Sequence, residues 1–165
     1  MIKTIFAFLL ISLSFTAKAM ELPKADRVLV KKSERKLVLL KDGKIFRDYD
    51  IALGDSPMGH KQFEGDERTP EGRYTLDWRN LNSKFYRSIH ISYPNSEDQQ
   101  FANAKGRSPG GMIMIHGQPN KSTDSVSAWV LDQMDWTDGC IAVKNNEMDE
   151  IWAAIDNGTP IEIYP

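Results

Sequence analysis

The sequence is poor in the features that usually declare a function. It has a single cysteine, Cys140, so no internal disulfide can close. That thiol is either buried and inert or kept for its chemistry. Only three histidines are present, His60, His90 and His116, and they show no metal-ligand spacing. No cluster of basic residues is longer than Lys31-Lys32, which argues against nucleic acid as a partner. Beyond the first fifteen residues, no apolar run approaches the length of a membrane span. With 11 glycines and 8 prolines spread along 165 residues, and no repeat, fibrous and disordered classes are excluded. What is there, 41% apolar and 10% aromatic residues, is enough for the core of one domain.

The start of the chain reads as a secretory signal. Lys3 supplies positive charge, Ile5 to Phe15 is almost purely apolar, and Ala17-Lys18-Ala19 is a small-x-small cleavage pattern. The expectation is a cleaved signal over 1–19, with Met20 first in the mature chain and an uncleaved anchor as the alternative. The mature chain would then be exported to the periplasm, mildly acidic, and without stable membrane insertion.

Alternation and short apolar runs predict a β-meander over 27–53, with Asp42-Gly43 as a hairpin turn. Residues 54–72 hold four glycines, two prolines and many charges, and read as loop. Strands are expected at 73–78, 87–92 and 111–116, the last apolar on both faces and hence central, and the chain closes on a strand at PIEIYP. A short surface helix is expected from Asn95 to Lys105. A firmer one is capped by Asn146, carries Met148, Ile151, Trp152 and Ile155 on one face, and stops at Gly158. A further helical turn fits Ser127 to Met134.

A cysteine is a nucleophile only as thiolate, which calls for a base and for oxyanion donors. His60 lies in the charged loop and reads as solvated, and His90 reads as a half-buried strand residue. His116 ends the apolar strand and precedes Gly117, facing a cleft. Cys140 follows Trp136-Thr137-Asp138-Gly139 and leads into Ile141-Ala142-Val143, which puts the thiol at a strand start. Gly139 would let a substrate approach, with neighbouring amides as oxyanion donors. An imidazolium beside the thiol would lower its pKa. His60 with Glu64 lacks a third ligand for a metal, and the loop carboxylates Glu64, Asp66, Glu67 and Glu71 are too crowded to specify a glycosidase.

The HG pair at 116–117 followed by T-x-G-C-I resembles the signature of the L,D-transpeptidase (YkuD-like) catalytic domains. Thr69-Pro70-Glu71-Gly72-Arg73-Tyr74 is similar to a TPxGxY/F element of that family, and Ile91-Ser92-Tyr93-Pro94-Asn95 to a segment of one subgroup. The resemblance covers residues 27–165. Two places depart from it: Asp138 stands where the family has histidine, and Ala142 where it has Arg or Asn. The run WTDGCIAV is closer to a W-T-x-G-C-I-A-V subgroup, some members of which cut peptidoglycan attachments rather than make them.

The resemblance implies a mainly β fold, a mixed β-sandwich of two packed sheets with His116 and Cys140 at one edge. It implies a peptidoglycan stem peptide as substrate, possibly also wall-linked lipoprotein, and neither metal nor organic cofactor. Cys140 would be the nucleophile and His116 the base, with Gly139 and Gly117 as oxyanion and orienting residues. Thr137, Asp138, Arg87, His90 and Tyr93 are candidate substrate contacts. The alternative is a catalytically silent wall- or partner-binding module.

Overall fold

The computed structural model describes residues 22–121, 131 and 134–165. The expected signal sequence, and most of the helical turn expected near Ser127, lie outside the described residues. Among these residues no helix is long and apolar enough to cross a membrane.

The meander forms as its alternation predicts: β1 (Arg27–Lys31), β2 (Lys36–Lys41) and β3 (Lys44–Asp50) pair antiparallel. Asp42 (φ 51°) and Gly43 (φ 73°) make the turn between β2 and β3, both left-handed as a tight hairpin with right-twisted strands requires. The remaining strands are β4 (Gly72–Asn80), β5 (Ser88–Ile91), β6 (Met114–His116), β7 (Ile141–Ala142) and β8 (Thr159–Tyr164). The apolar run at 111–116 is strand only over its last three residues, all of them buried.

The architecture is mainly β, but the strands form one sheet in the order β3-β2-β1-β8-β4-β5-β6-β7 rather than two separate packed sheets. The last strand joins the two groups: β8 lies parallel to β1 on one side and antiparallel to β4 on the other. The sheet then curls until its ends meet. Ala52, just past β3, exchanges two 2.9 Å backbone hydrogen bonds with Ala142 of β7, and Gly54 bridges Thr137. Curling buries one continuous core that includes Val30, Leu39, Leu76, Ile115 and Ile161.

Two helices lie wholly among the described residues. In α1 (Ser96–Ala104), Asn95 accepts from the backbone N–H of Glu97 and Asp98, and the Asp98 carboxylate accepts the Asn95 N–H in return. α2 (Asn145–Ala154) starts earlier than expected, with Lys144 at the cap. Asn146 is not the cap because the Glu147 carboxylate takes the Lys144 N–H (3.1 Å), while Asn145 Oδ1 accepts the N–H of Gln118 from the loop after β6. Gly158 (φ 95°) belongs to the turn into β8, four residues past the helix end. Met148, Ile151 and Ile155 are fully buried against the sheet.

Residues 54–71 are loop, yet fixed by buried polar groups. The Lys32 ammonium, nearly inaccessible, donates to the carbonyls of Gly59 (2.6 Å) and Thr69 (2.9 Å) and to the Glu71 carboxylate (2.8 Å). Lys61 donates to Asp66 (2.8 Å), whose oxygens also accept the N–H groups of Gln62, Phe63 and Arg68. Burial raises the Asp66 carboxyl, but that ammonium and those N–H groups outweigh it and hold the group below the usual range.

Candidate active site

β6 and β7 run parallel, with Ile115 opposite Ile141 and His116 opposite Ala142. One pair earlier, the Met114 N–H points at Cys140 Sγ (3.4 Å), so Cys140 precedes β7 directly alongside Met114. Side chains alternate along a strand, so Met114, His116, Cys140 and Ala142 project to the same face. His116 and Cys140 are therefore diagonal neighbours on adjacent strands, one nearly buried and the other half-buried.

Each side chain is held locally. His116 Nδ1 lies 2.7 Å from the Gly117 carbonyl. A carbonyl only accepts, so Nδ1 carries the proton and Nε2 keeps its lone pair. The Cys140 thiol sits 3.6 Å from the Met112 carbonyl, to which it donates. No hydrogen bond joins it to His116 among the described residues. The Thr137 hydroxyl donates to the Cys140 carbonyl (2.7 Å) and accepts the Gly139 N–H (3.2 Å), closing the turn before the thiol. A Cβ on Gly139 (φ 122°) would lie 2.5 Å from the Arg68 carbonyl, so glycine is required there by the chain's own loop.

Burial pushes the His116 imidazole below its ordinary value, against a smaller opposing effect of the Gly117 carbonyl. Burial likewise pushes the Cys140 thiol up, and the Asp138 carboxylate adds to it, while the Met114 N–H and Lys61 oppose. Both shifts favour the neutral thiol and the neutral imidazole. These shifts run against the expected lowering of the thiol by an imidazolium, because desolvation leads both of them.

Two cavities are lined by chain neighbours of the pair, and neither is lined by His116 or Cys140 itself. One of about 690 Å³ is lined by Arg35, Met134, Asp135, Trp136 and Ala142, and one of about 420 Å³ by Lys61, Glu64, Glu67, Ile113 and Asp138.

The sequence model of the L,D-transpeptidase catalytic domain (YkuD) matches residues 25–163. The chain belongs to this family. YafK of Escherichia coli (strain K12), classed by name with the L,D-transpeptidases, is 33% identical over 126 residues, covering 71% of this chain and 43% of its own. The helical cell shape determining protein Pgp2 from Campylobacter jejuni is 29% identical with a TM-score of 0.63, covering 83% of this chain and 46% of that one. An L,D-transpeptidase from Mycobacterium smegmatis shares the fold alone, at 12% identity, a TM-score of 0.53, and coverage of 84% and 58%. The chain thus spans somewhat less than half the length of YafK and Pgp2.

Within this L,D-transpeptidase domain the other candidate residues separate. Asp138 is exposed at the rim of the smaller cavity. Tyr93 is 2% exposed and donates to the Pro109 carbonyl (3.0 Å), which removes it from substrate contact. Thr137 is also buried, with its hydroxyl used inside the turn. Arg87 is paired with Asp149 of α2 (3.0 Å), and His90 with Asp77 (2.7 Å) while stacked on Trp78. The Gly139 N–H faces Thr137 and so is not an oxyanion donor. His60 is half-buried rather than free in solvent: Nδ1 accepts the Glu71 N–H (2.9 Å), and Nε2 lies 3.0 Å from Asp98, tying the loop to α1.

Sequence reasoning missed Met112 and Met114, whose backbones face the thiol, and Phe85 and Trp136, whose rings enclose His116. Trp136 stands in the motif run, but nothing in the sequence around Phe85 distinguishes it.

Proposed function

We propose that this domain is an exported, periplasmic cysteine acyl enzyme that remodels peptidoglycan. The observation that carries the reading is the β6–β7 register, which sets His116 and Cys140 on one face. Nε2 of His116, left as acceptor by the Gly117 carbonyl, takes the thiol proton as Sγ attacks the carbonyl at the L-centre of the diamino acid at stem position three. Reaching Nε2 requires the thiol to turn away from the Met112 carbonyl, a rotation about Cα–Cβ between staggered positions. The Cys140 N–H at the strand start is the oxyanion donor. The C–N bond to the departing group breaks, the proton from the thiol passes to its nitrogen, and a thioester remains.

An amine acceptor then forms a crosslink, and water gives hydrolysis. Hydrolysis exceeds crosslinking here. At the place where family members carry Arg or Asn, Ala142 presents a buried methyl group that cannot hold a carboxylate or carbonyl. A missing charge-assisted hydrogen bond costs about 1.5–3 kcal/mol, about tenfold to a hundredfold in holding a substrate. Arg87 does not replace it, being paired with Asp149. Incubating the protein and its Cys140→Ala variant with tetrapeptide muropeptides and lipoprotein-bound wall fragments, followed by mass spectrometry, tests this. Cleaved products dependent on Cys140 support it, and a predominance of 3-3 crosslinked dimers overturns the preference for hydrolysis.

A further inference from the structure

His116 is enclosed by two aromatic rings that the acyl chemistry does not itself use. The Phe85 ring lies 4.7 Å from the imidazole, tilted by 36°, and the Trp136 ring 5.6 Å away, nearly edge-on at 67°. The two rings also touch each other, at 5.9 Å, so the three form a closed triangle. Such distances are those of favourable aromatic contacts.

Phe85 acts on the same dipeptide through its backbone. Its carbonyl accepts the Gly117 N–H (3.1 Å), while the Gly117 carbonyl holds His116 Nδ1. The approach is close enough that a Cβ on Gly117 would fall 2.9 Å from Tyr86 Cβ and 2.5 Å from Asn145 Oδ1. The connection between β4 and β5 that carries Phe85 is tied down on both sides of it. The Phe85 N–H donates to Ser83 Oγ (3.0 Å), the Tyr86 N–H to Asn120 (2.8 Å), and the Tyr86 hydroxyl to Asp149 (2.9 Å). The Trp136 backbone is fixed by its amide N–H, which donates to the Leu53 carbonyl (3.2 Å), at the place where the sheet closes.

We propose that Phe85 and Trp136 are positioning residues for the acyl chemistry: they fix the plane of the His116 ring and keep water from it, so that the imidazole stays an uncharged acceptor. This rests on His116 acting as the base. With Nδ1 bound by Gly117 and the two aromatic rings packed on neighbouring sides of the imidazole, rotation of the ring is opposed, and Nε2 is left as the nitrogen facing the reaction. An apolar enclosure disfavours the imidazolium, in keeping with the lowered pKa of the buried ring.

Few charges compete with this effect. From the approach to β7 the titratable group is Cys140, and Asp138 precedes it. From the 134–137 segment it is Asp135, bound by Arg35 (2.7 Å). From β5 and the connection before it they are Arg87 and Tyr86, both bound to Asp149, and the exposed Lys84. Only burial and the Gly117 carbonyl contribute to the shift of His116 itself.

The test follows the His116 imidazole by NMR with histidine labelled in the full chain, together with the pH profile of Cys140 alkylation. The variants are Phe85→Ala, Phe85→Leu, Phe85→Tyr and Trp136→Phe. In Phe85→Ala the His116 midpoint moves up towards the ordinary imidazole value of about 6.5, and the acid limb of alkylation moves with it. Phe85→Leu shows a smaller shift of the same sign, and Phe85→Tyr and Trp136→Phe return values close to the parent. Should Phe85→Ala fail to fold, the Leu and Tyr pair decides. A His116 midpoint that stays put or falls in both Phe85→Ala and Phe85→Leu overturns the proposal. The NMR midpoint needs no catalysis, so it is read separately from the role of His116 as base. That role fails if His116→Ala leaves Cys140 alkylation unchanged.

Discussion

Two regions of this domain bury ionisable groups, and they do so in opposite ways. Around the 54–71 loop, which Lys32 reaches from the end of β1, and in α1, the buried charges each meet several partners. Lys32 has three acceptors and Lys61 two, and Asp98 accepts from Tyr74 and from the Asn95 N–H while lying beside His60. At the β6–β7 edge, His116 and Cys140 are enclosed by aromatic rings and backbone, and the shifts of both groups are led by burial. Paired charges hold a loop in place, even though burial still leads a downward shift of Lys32. Unpaired titratable groups stay neutral and can move a proton. The comparison tells which of the charged residues are architecture and which are chemistry.

The sharpest way to break it is to remove the chemistry without touching the architecture. A carbapenem should acylate the protein once, at Cys140, and intact mass should show that adduct absent in Cys140→Ala. In His116→Ala, acylation should slow by about 10²–10⁴-fold, the usual scale for loss of a general base. An adduct that survives Cys140→Ala, or an unchanged rate in His116→Ala, would place the chemistry elsewhere.

The converse experiment removes architecture. Lys32→Met leaves the Glu71 carboxylate and the carbonyls of Gly59 and Thr69 without their partner. Breaking one side of a buried pair should cost about 3–5 kcal/mol of stability by denaturant unfolding. Because the loop also carries Arg68, whose carbonyl abuts Gly139, a secondary loss of alkylation rate is expected. A change below about 0.5 kcal/mol, typical of a surface site, would mean that the loop does not depend on this lysine.

Thr137→Val lies between the two regions. It deletes the hydroxyl that joins the Cys140 carbonyl to the Gly139 N–H, and should cost about 1–3 kcal/mol. The His116 midpoint should stay where it is, because Thr137 acts on the thiol turn and not on the ring. If the midpoint moves while stability does not, Thr137 belongs to the chemistry after all.

The smallest effect is the pH dependence of stability. His116 is lowered in the fold, so below about pH 6.5 the unfolded chain takes up a proton that the folded one refuses. Stability contributed by the neutral ring is therefore lost as pH falls. Cys140 is raised, so its contribution is present below the ordinary thiol value of about 8.5 and is lost as pH rises. His116→Gln should flatten the acid slope and Cys140→Ala the alkaline one, both read from denaturation midpoints across pH. Slopes that are the same as in the parent would show that the two groups are not desolvated as described.

The amino-acid sequence by itself carries everything that depends on neighbours along the chain. The alternation of 27–53, the Asp42-Gly43 turn, the Asn95 cap and the apolar face of Met148, Ile151 and Ile155 are all local patterns, and each became the element it predicted. His116 before glycine and Cys140 after glycine could likewise be singled out, because strand ends and turns leave signatures in consecutive residues. Tertiary structure alone decided what depends on meetings across the chain. Inserting β8 between β1 and β4 makes one sheet where two were expected, and a pairing partner more than seventy residues away leaves no local mark. Burial of Tyr93, use of the Thr137 hydroxyl inside its turn and the Phe85 enclosure of His116 have the same origin. The charge state of the site was decided there too: a pKa follows from the solvent and charge around a group in three dimensions, and the sequence does not order those surroundings.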